Sequence, residues 1–157
     1  MHEIKTGAKI IFCSYSELQE EDKNLISAAK GAAFSAYAPY SGFKVGAAVL
    51  LSGGEIIKGS NQENAAYPSG MCAERVALFY ARSSHPDTPI KAMALAAYSG
   101  GVYSKEPVTP CGSCRQVFAG YENAQGSDIR VIMYGEAGVY IAPSSKSLLP
   151  LAFGLEE

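Results

Sequence analysis

The pattern Cys72-Ala73-Glu74, followed after 35 residues (75 to 109) by Pro110-Cys111-Gly112-Ser113-Cys114, constrains this chain more than any other feature. Cysteines from two distant segments must meet if they are to act together, and the fold has to provide for it. Closed structural zinc sites normally take four protein ligands, whereas three ligands and one open position is the catalytic arrangement. No histidine completes a closed set. His2 is terminal and His85 sits beside the helix-breaking Pro86, so both read as surface residues. The fourth cysteine, Cys13, lies in the apolar run Ile10-Ile11-Phe12-Cys13 and reads as a buried, inert thiol.

The rest of the pattern is consistent with one domain over residues 1–157, its core spanning about 16–154. Ser16-Glu17-Leu18-Gln19 has capping-box spacing ahead of a helix that carries Leu25, Ile26, Ala29, Ala33 and Phe34 on one face and ends near Tyr37-Ala38-Pro39. Phe43 to Leu51 and Glu55 to Gly59, joined by Ser52-Gly53-Gly54, predict a hairpin. Helices are expected from Met71-Cys72 to about Arg82 and from Cys111 to Gly120. Strands are expected at Ile90–Tyr98, Ile129–Tyr134 and Val139–Ile141, the alanines weakening the first of these, and a short helix at Ser144–Leu149. Alternating helices and strands imply an α/β domain built on a five-stranded, largely buried sheet.

Each zinc-type segment thus falls at a predicted helix start, where unpaired N–H groups and the positive dipole end favour thiolates. Thiolate is the form zinc needs. Glu74, two residues past a cysteine, is placed to carry a proton as a general acid/base, although alone it would read as a first-turn glutamate complementing the dipole. Zinc with three thiolates is net negative, which blunts its acidity, and a guanidinium bonding the sulfurs would relieve this. Arg75, three residues from Cys72, shares its helix face and is the favoured donor. Arg115 points about 100° away from Cys114.

Composition narrows the substrate. The net charge is −2, the pI about 5.7, and the 13 Lys and Arg form no run, which argues against a nucleic-acid partner. There is no apolar stretch of membrane-spanning length, and Met1-His2-Glu3-Ile4-Lys5 does not open a secretory signal, so a cytoplasmic protein with no membrane partner is expected.

The chain resembles the zinc deaminases of the cytidine deaminase type, whose signature joins a ligand-x-Glu to Pro-Cys-x-x-Cys and includes an all-cysteine variant. Tyr40 to Ala48 looks like the family's strand segment, whose Phe (here Phe43) packs on the base. Asn61-Gln62-Glu63-Asn64-Ala65-Ala66-Tyr67 looks like its ribose-binding segment. Alone, Asn61 and Glu63 would read as loop polar groups; on an extended chain they point the same way and suit sugar hydroxyls. Leu148 to Gly154 looks like the family's C-terminal end, including Phe153. Beyond Gly154 the tail is shorter than the family's usual one and different from it.

The resemblance implies a three-layer sandwich with a central five-stranded mixed sheet flanked by helices. It also implies one zinc per chain on Cys72, Cys111 and Cys114, with Glu74 as catalytic residue. Substrate contacts would come from Phe43, Asn61, Glu63, Asn64, Tyr67, the Ala73 backbone and Phe153. The implied assembly is a homotetramer with sites at subunit borders. The implied reaction is hydrolysis of cytidine and deoxycytidine to uridine and deoxyuridine with release of ammonia, in pyrimidine salvage. A deaminase of another small aminopyrimidine such as blasticidin S is the nearest alternative, but that branch lacks the ribose segment. A non-catalytic zinc-structured module would not need Glu74 or an open fourth position.

Overall fold

A computed structural model describes residues 1–154. The elements in chain order are β1 (Ile11–Cys13), α1 (Glu20–Ala33), β2 (Lys44–Leu51), β3 (Ile56–Ser60), α2 (Ala73–Ser84), β4 (Ile90–Ser99), β5 (Val102–Tyr103), α3 (Gly112–Gln125), β6 (Arg130–Gly135) and β7 (Gly138–Ala142), with single 3₁₀ turns at Tyr15–Glu17, Tyr67–Ser69 and Ser145–Ser147. The sheet has seven strands in the order β1-β7-β6-β4-β2-β3, with β5 paired to β4. Among the described residues only strands β4 and β6 pair in parallel, joined by the crossover through α3; the other strand pairs are antiparallel.

Strand alternation decides which helix covers which face. Ala48 and Leu50 of β2, Ala92, Ala94 and Ala96 of β4, and Ile132 of β6 pack with Leu25, Ile26 and Ala29 of α1. Ala47, Val49, Leu51, Met93, Leu95, Val131 and Met133 point the other way, against Ala73, Ala77 and Leu78 of α2 and Phe118 of α3. The result is three layers, one helix below the sheet and two above. Burial on both faces gives near-continuous apolar runs rather than a polar alternation. Each fully buried Leu or Phe in these layers contributes about 1.5–3 kcal/mol.

Two glycines bring the helices close. A Cβ on Gly46 would overlap the Ala29 carbonyl oxygen of α1, and one on Gly59 would lie 2.5 Å from Ala77 N and 2.8 Å from Ala73 O of α2. In the β2–β3 register Gly46 faces Ser60 and Ala47 faces Gly59, so the two close approaches occur side by side on opposite faces of the sheet.

The structure corrects the expected strand count from five to seven. The additions are β1, which pairs Ile11 with Ile141 at the sheet edge, and the two-residue β5. Both are too short to leave a periodic signal, and only tertiary pairing reveals them. On this edge Cys13 is half-buried rather than buried, and Phe12 is 61% exposed. The Ser16–Gln19 capping box does not form, since Gln19 is itself the N-cap of α1 without a side-chain bond. The capping box lies two residues earlier, at Ser14 and Glu17 of the first 3₁₀ turn, where the Glu17 carboxylate accepts from Ser14 N and Ser14 Oγ, each at 2.7 Å. Helix α1 stops at Ala33 because the chain beyond is recruited elsewhere. Tyr37 N donates to Asn61 O and Glu63 N donates to Tyr37 O, at 3.0 and 2.8 Å. Helix α3 continues past Gly120 to Gln125, where Gly126 at φ 65° ends it. The residues after Gly154, where the family's tail diverges, lie outside the described residues.

Candidate active site

Helices α2 and α3 lie on the same face of the sheet, and each begins on a cysteine. Cys72 is the N-cap of α2 and Cys111 the N-cap of α3, both in extended conformation, and Cys114 follows in the first turn of α3. Neither N-cap thiol caps the backbone of its own helix. The sulfurs turn toward one another instead, 3.8 Å between Cys72 and Cys111 and 3.4 Å between Cys111 and Cys114. All three lie within 4.8 Å of one another, close enough to hold one metal ion, and neither histidine joins the cluster.

The surroundings fit a cation. The Cys72 thiol is pulled down to about 5, chiefly by its contact with Cys114 and then by the Arg75 guanidinium, while its partial burial opposes this. Cys114 keeps its own proton beside that sulfur, its thiol pushed far up by the contact with Cys72 and by burial. A metal requires such protons to leave. Arg75 Nη2 reaches Cys72 Sγ at 3.6 Å, and Arg75 Nε is buried with no partner, a donor left over beside the sulfurs. Arg115 does not approach the sulfurs: its Nε donates to Pro110 O at 2.8 Å and its Nη1 to Leu148 O at 3.0 Å.

Glu74, in the first turn of α2, is 6% exposed. Burial pushes its carboxyl up, and the Cys72 thiolate adds to the shift. It lines a cavity of about 200 Å³ together with Phe43, Val45, Asn61, Cys72, Ala73, Leu95, Val108, Thr109 and Cys111. Half-buried Cys72 and Asn61 also line an adjoining, more open cavity of about 570 Å³, with Tyr40, Ser41, Glu63, Asn64, Tyr67 and Arg75 among its walls. These candidate residues therefore divide between two spaces that share Asn61 and Cys72 as walls, Phe43, Ala73 and Glu74 in the inner one and Glu63, Asn64 and Tyr67 in the outer.

The polar residues of the outer space are engaged within the chain. The Asn61 amide donates to Phe43 O at 2.9 Å and accepts from Val45 N at 2.7 Å, which locks the start of β2. Glu63 accepts from Tyr40 N at 2.9 Å, Ser41 N at 3.2 Å and the Ser41 hydroxyl. The Ser41 hydroxyl and then the Tyr40 amide hold its carboxyl below the usual range. Asn64 Oδ1 accepts from Ala66 N at 2.8 Å, tightening the loop. Asn61 and Glu63 keep unused capacity, a second amide hydrogen on the one and free lone pairs on the other, and both residues line the outer cavity. Tyr67 is 81% exposed on the rim. Phe153 lines neither space; it is 73% exposed, and its backbone is bonded to Gln116.

Sequence reasoning did not single out Ser41, which orders Glu63, or Val108 and Thr109, which wall the inner cavity. Val108 and Thr109 carry no motif, and Ser41 stands inside the Tyr40–Ala48 segment with no pattern that marks its contact with Glu63.

Residues 19–125 match the family described as the cytidine and deoxycytidylate deaminase zinc-binding region. The chain is 42% identical to the cytidine deaminase of Halalkalibacterium halodurans over 133 residues, 85% of this chain and 94% of that one. It is 41% identical to that of Sporosarcina psychrophila over 135 residues, 86% and 93% of the two chains. The fold superposes on the crystal structure of cytidine deaminase from Burkholderia pseudomallei with a TM-score of 0.71 at 38% identity, covering 87% of this chain and all of that one (100%). With a matched zinc-binding region and three cysteines placed to hold the ion, the chain belongs to the cytidine and deoxycytidylate deaminase family, with zinc as its cofactor.

Proposed function

We propose that this protein hydrolyses the exocyclic amine of cytidine and deoxycytidine, releasing ammonia, as a step of cytoplasmic pyrimidine salvage. The observation that carries the reading is the inner cavity, where a buried carboxylate and two clustered cysteines stand beside an aromatic ring in a space of about 200 Å³. The relatives in Halalkalibacterium halodurans and Sporosarcina psychrophila are cytidine deaminases.

Cys72, Cys111 and Cys114 would hold one zinc per chain. When bound, the ion supplies Lewis acidity for the attack of water on the ring. Glu74 takes a proton from that water and passes it to ring N3 as the oxygen joins C4. It then takes the second proton from the hydroxyl now on C4 and delivers it to the amine, so that the C4–N4 bond breaks, the C4 carbonyl forms and ammonia leaves. Its burial suits this traffic, because a raised carboxyl releases and regains protons nearer neutral pH. Phe43 packs on the base, the Ala73 backbone contacts the base, and Arg75 steadies the sulfurs.

Asn61, Glu63, Asn64 and Tyr67 would meet the sugar in the outer space. That space favours a nucleoside over a nucleotide. Among its described lining residues Arg75 is the one cation, already engaged by Cys72, while Glu63 is an ionised acid. A phosphate there would meet repulsion without compensation. A polynucleotide fits no better, and among the described residues no helix is long and apolar enough to cross a membrane. Nothing in the site or its relatives favours blasticidin S. We place residues 16–154 in one working unit that assembles as a homotetramer, with Phe153 of one subunit completing a neighbour's site.

The test is ammonia release with zinc measured on the same preparation. We expect about one zinc per chain and turnover of cytidine and deoxycytidine. Free cytosine should be a much poorer substrate, since each sugar pairing lost costs about 1–3 kcal/mol, and so should deoxycytidine monophosphate, whose phosphate would meet Glu63. Active protein without zinc would overturn the metal assignment, and equal efficiency on cytosine the assignment of the sugar loop.

A further inference from the structure

The C-terminal strap, residues 144–154, is fastened to α3 by three side chains. Buried Glu122 accepts from the amides of Ile129 and Ser145, at 2.7 and 2.8 Å, and from the hydroxyls of Ser144 (3.1 Å) and Ser145. Arg115 joins Leu148 O to Pro110 O, the carbonyl just before Cys111. Gln116 meets Phe153 twice: its Nε2 donates to Phe153 O at 2.7 Å, and Phe153 N donates to its Oε1 at 3.0 Å.

A carboxamide paired with both backbone groups of one residue imitates a hydrogen-bonded rung of an antiparallel ladder. It fixes where the residue sits and which way it faces, yet Phe153 is in no strand and its ring stays 73% exposed. Burial of the ring within its own chain therefore does not account for the bond pair. The backbone is held while the aromatic ring is turned outward.

We propose that Gln116 is a positioning residue for deamination, clipping the Phe153 backbone so that the ring is presented at a fixed place to a neighbouring subunit's base pocket. The proposal rests on the reading of Phe153 as a residue completing that neighbour's site. It adds that α3 serves two sites, its own through Cys111 and Cys114 and the neighbour's through Gln116. The clip also lowers the ordering cost of recruiting an exposed tail, because a pre-set ring loses less freedom when it stacks.

The test uses the assembled, zinc-loaded enzyme and two variants, Gln116→Leu and Gln116→Glu. Amide exchange at Phe153 should be slowed at least about tenfold in the parent and released in Gln116→Leu. The KM for cytidine should rise about three- to tenfold in Gln116→Leu, the range of one aromatic contact, with kcat, zinc content and melting temperature little changed. Gln116→Glu keeps the acceptor and loses the donor, and should fall between. Combining Gln116→Leu with Phe153→Ala should raise KM no further than Phe153→Ala alone. A freely exchanging Phe153 amide in the parent overturns the clip. So does an unchanged KM in Gln116→Leu beside a raised KM in Phe153→Ala. If the amide is protected and Phe153→Ala leaves KM unchanged, the reading of Phe153 as a site residue has failed and the positioning role falls with it.

Discussion

Glu74 lies in the first turn of α2, yet it is buried in the wall of the inner cavity, between the N-cap Cys72 and Arg75 in sequence. Replacing it by Gln keeps the shape of the side chain and removes its ability to carry a proton. We expect Glu74→Gln to fold, to retain zinc, and to lose about 10²–10⁴-fold or more in kcat. Loss of zinc together with activity would make Glu74 a structural residue instead. The cysteine spacing was legible because few chemistries need that pattern. The roles of Asn61 and Glu63 were less so. Their alternation suggested a free donor and acceptor, whereas the structure shows both tied to the Tyr40–Val45 backbone, a use of side chains that no local pattern announces. Arg75 could be told from Arg115 by helical spacing alone, since three residues return to the same face and one does not.

Among the elements, the helices and the hairpin were readable from periodicity and from Gly53-Gly54, whereas β4 was readable only in spite of its alanines. Ala92, Ala94 and Ala96 are poor strand formers, and they are there because α1 lies against them. Tertiary packing overrides propensity at that position. The edge strand β1 was missed for the opposite reason, being too short to show any period. The close approach at Gly59 yields a sharper prediction. A methyl group there would press on Ala73 O and Ala77 N, backbone atoms of the helix that carries Cys72 and Glu74. Gly59→Ala should shift the start of α2 and lower kcat/KM by one to two orders of magnitude, because misplacement by about 1 Å can cost 10²-fold. Gly120→Ala, on the open side of α3, should be neutral or stabilising by about 0.5–1 kcal/mol. Wild-type kinetics in Gly59→Ala would show that the sheet and α2 can yield to each other.

At the scale of the whole molecule, the exposed aromatic ring of Phe153 and the inner cavity belong to different parts of one chain. If a complete site needs two chains, then Glu74→Gln and Phe153→Ala proteins, each weak alone, should rescue one another when dissociated, mixed and reassembled. About a quarter of the sites in random hybrids pair an intact Glu74 with a neighbour's intact Phe153. Activity should exceed the mean of the parents, and a mixture no better than that mean, with hybrids verified by mass, would rule out sharing. The sulfur cluster has a consequence of another kind. It ties Cys72 to Cys111 across the 38 residues between them, a stretch that holds α2, β4 and β5. An ion captured there by the native fold alone becomes part of the unfolding equilibrium. Every tenfold rise in free zinc above the dissociation constant deepens the native well by about 1.4 kcal/mol, so the durability of the protein is set partly by the zinc activity of its surroundings.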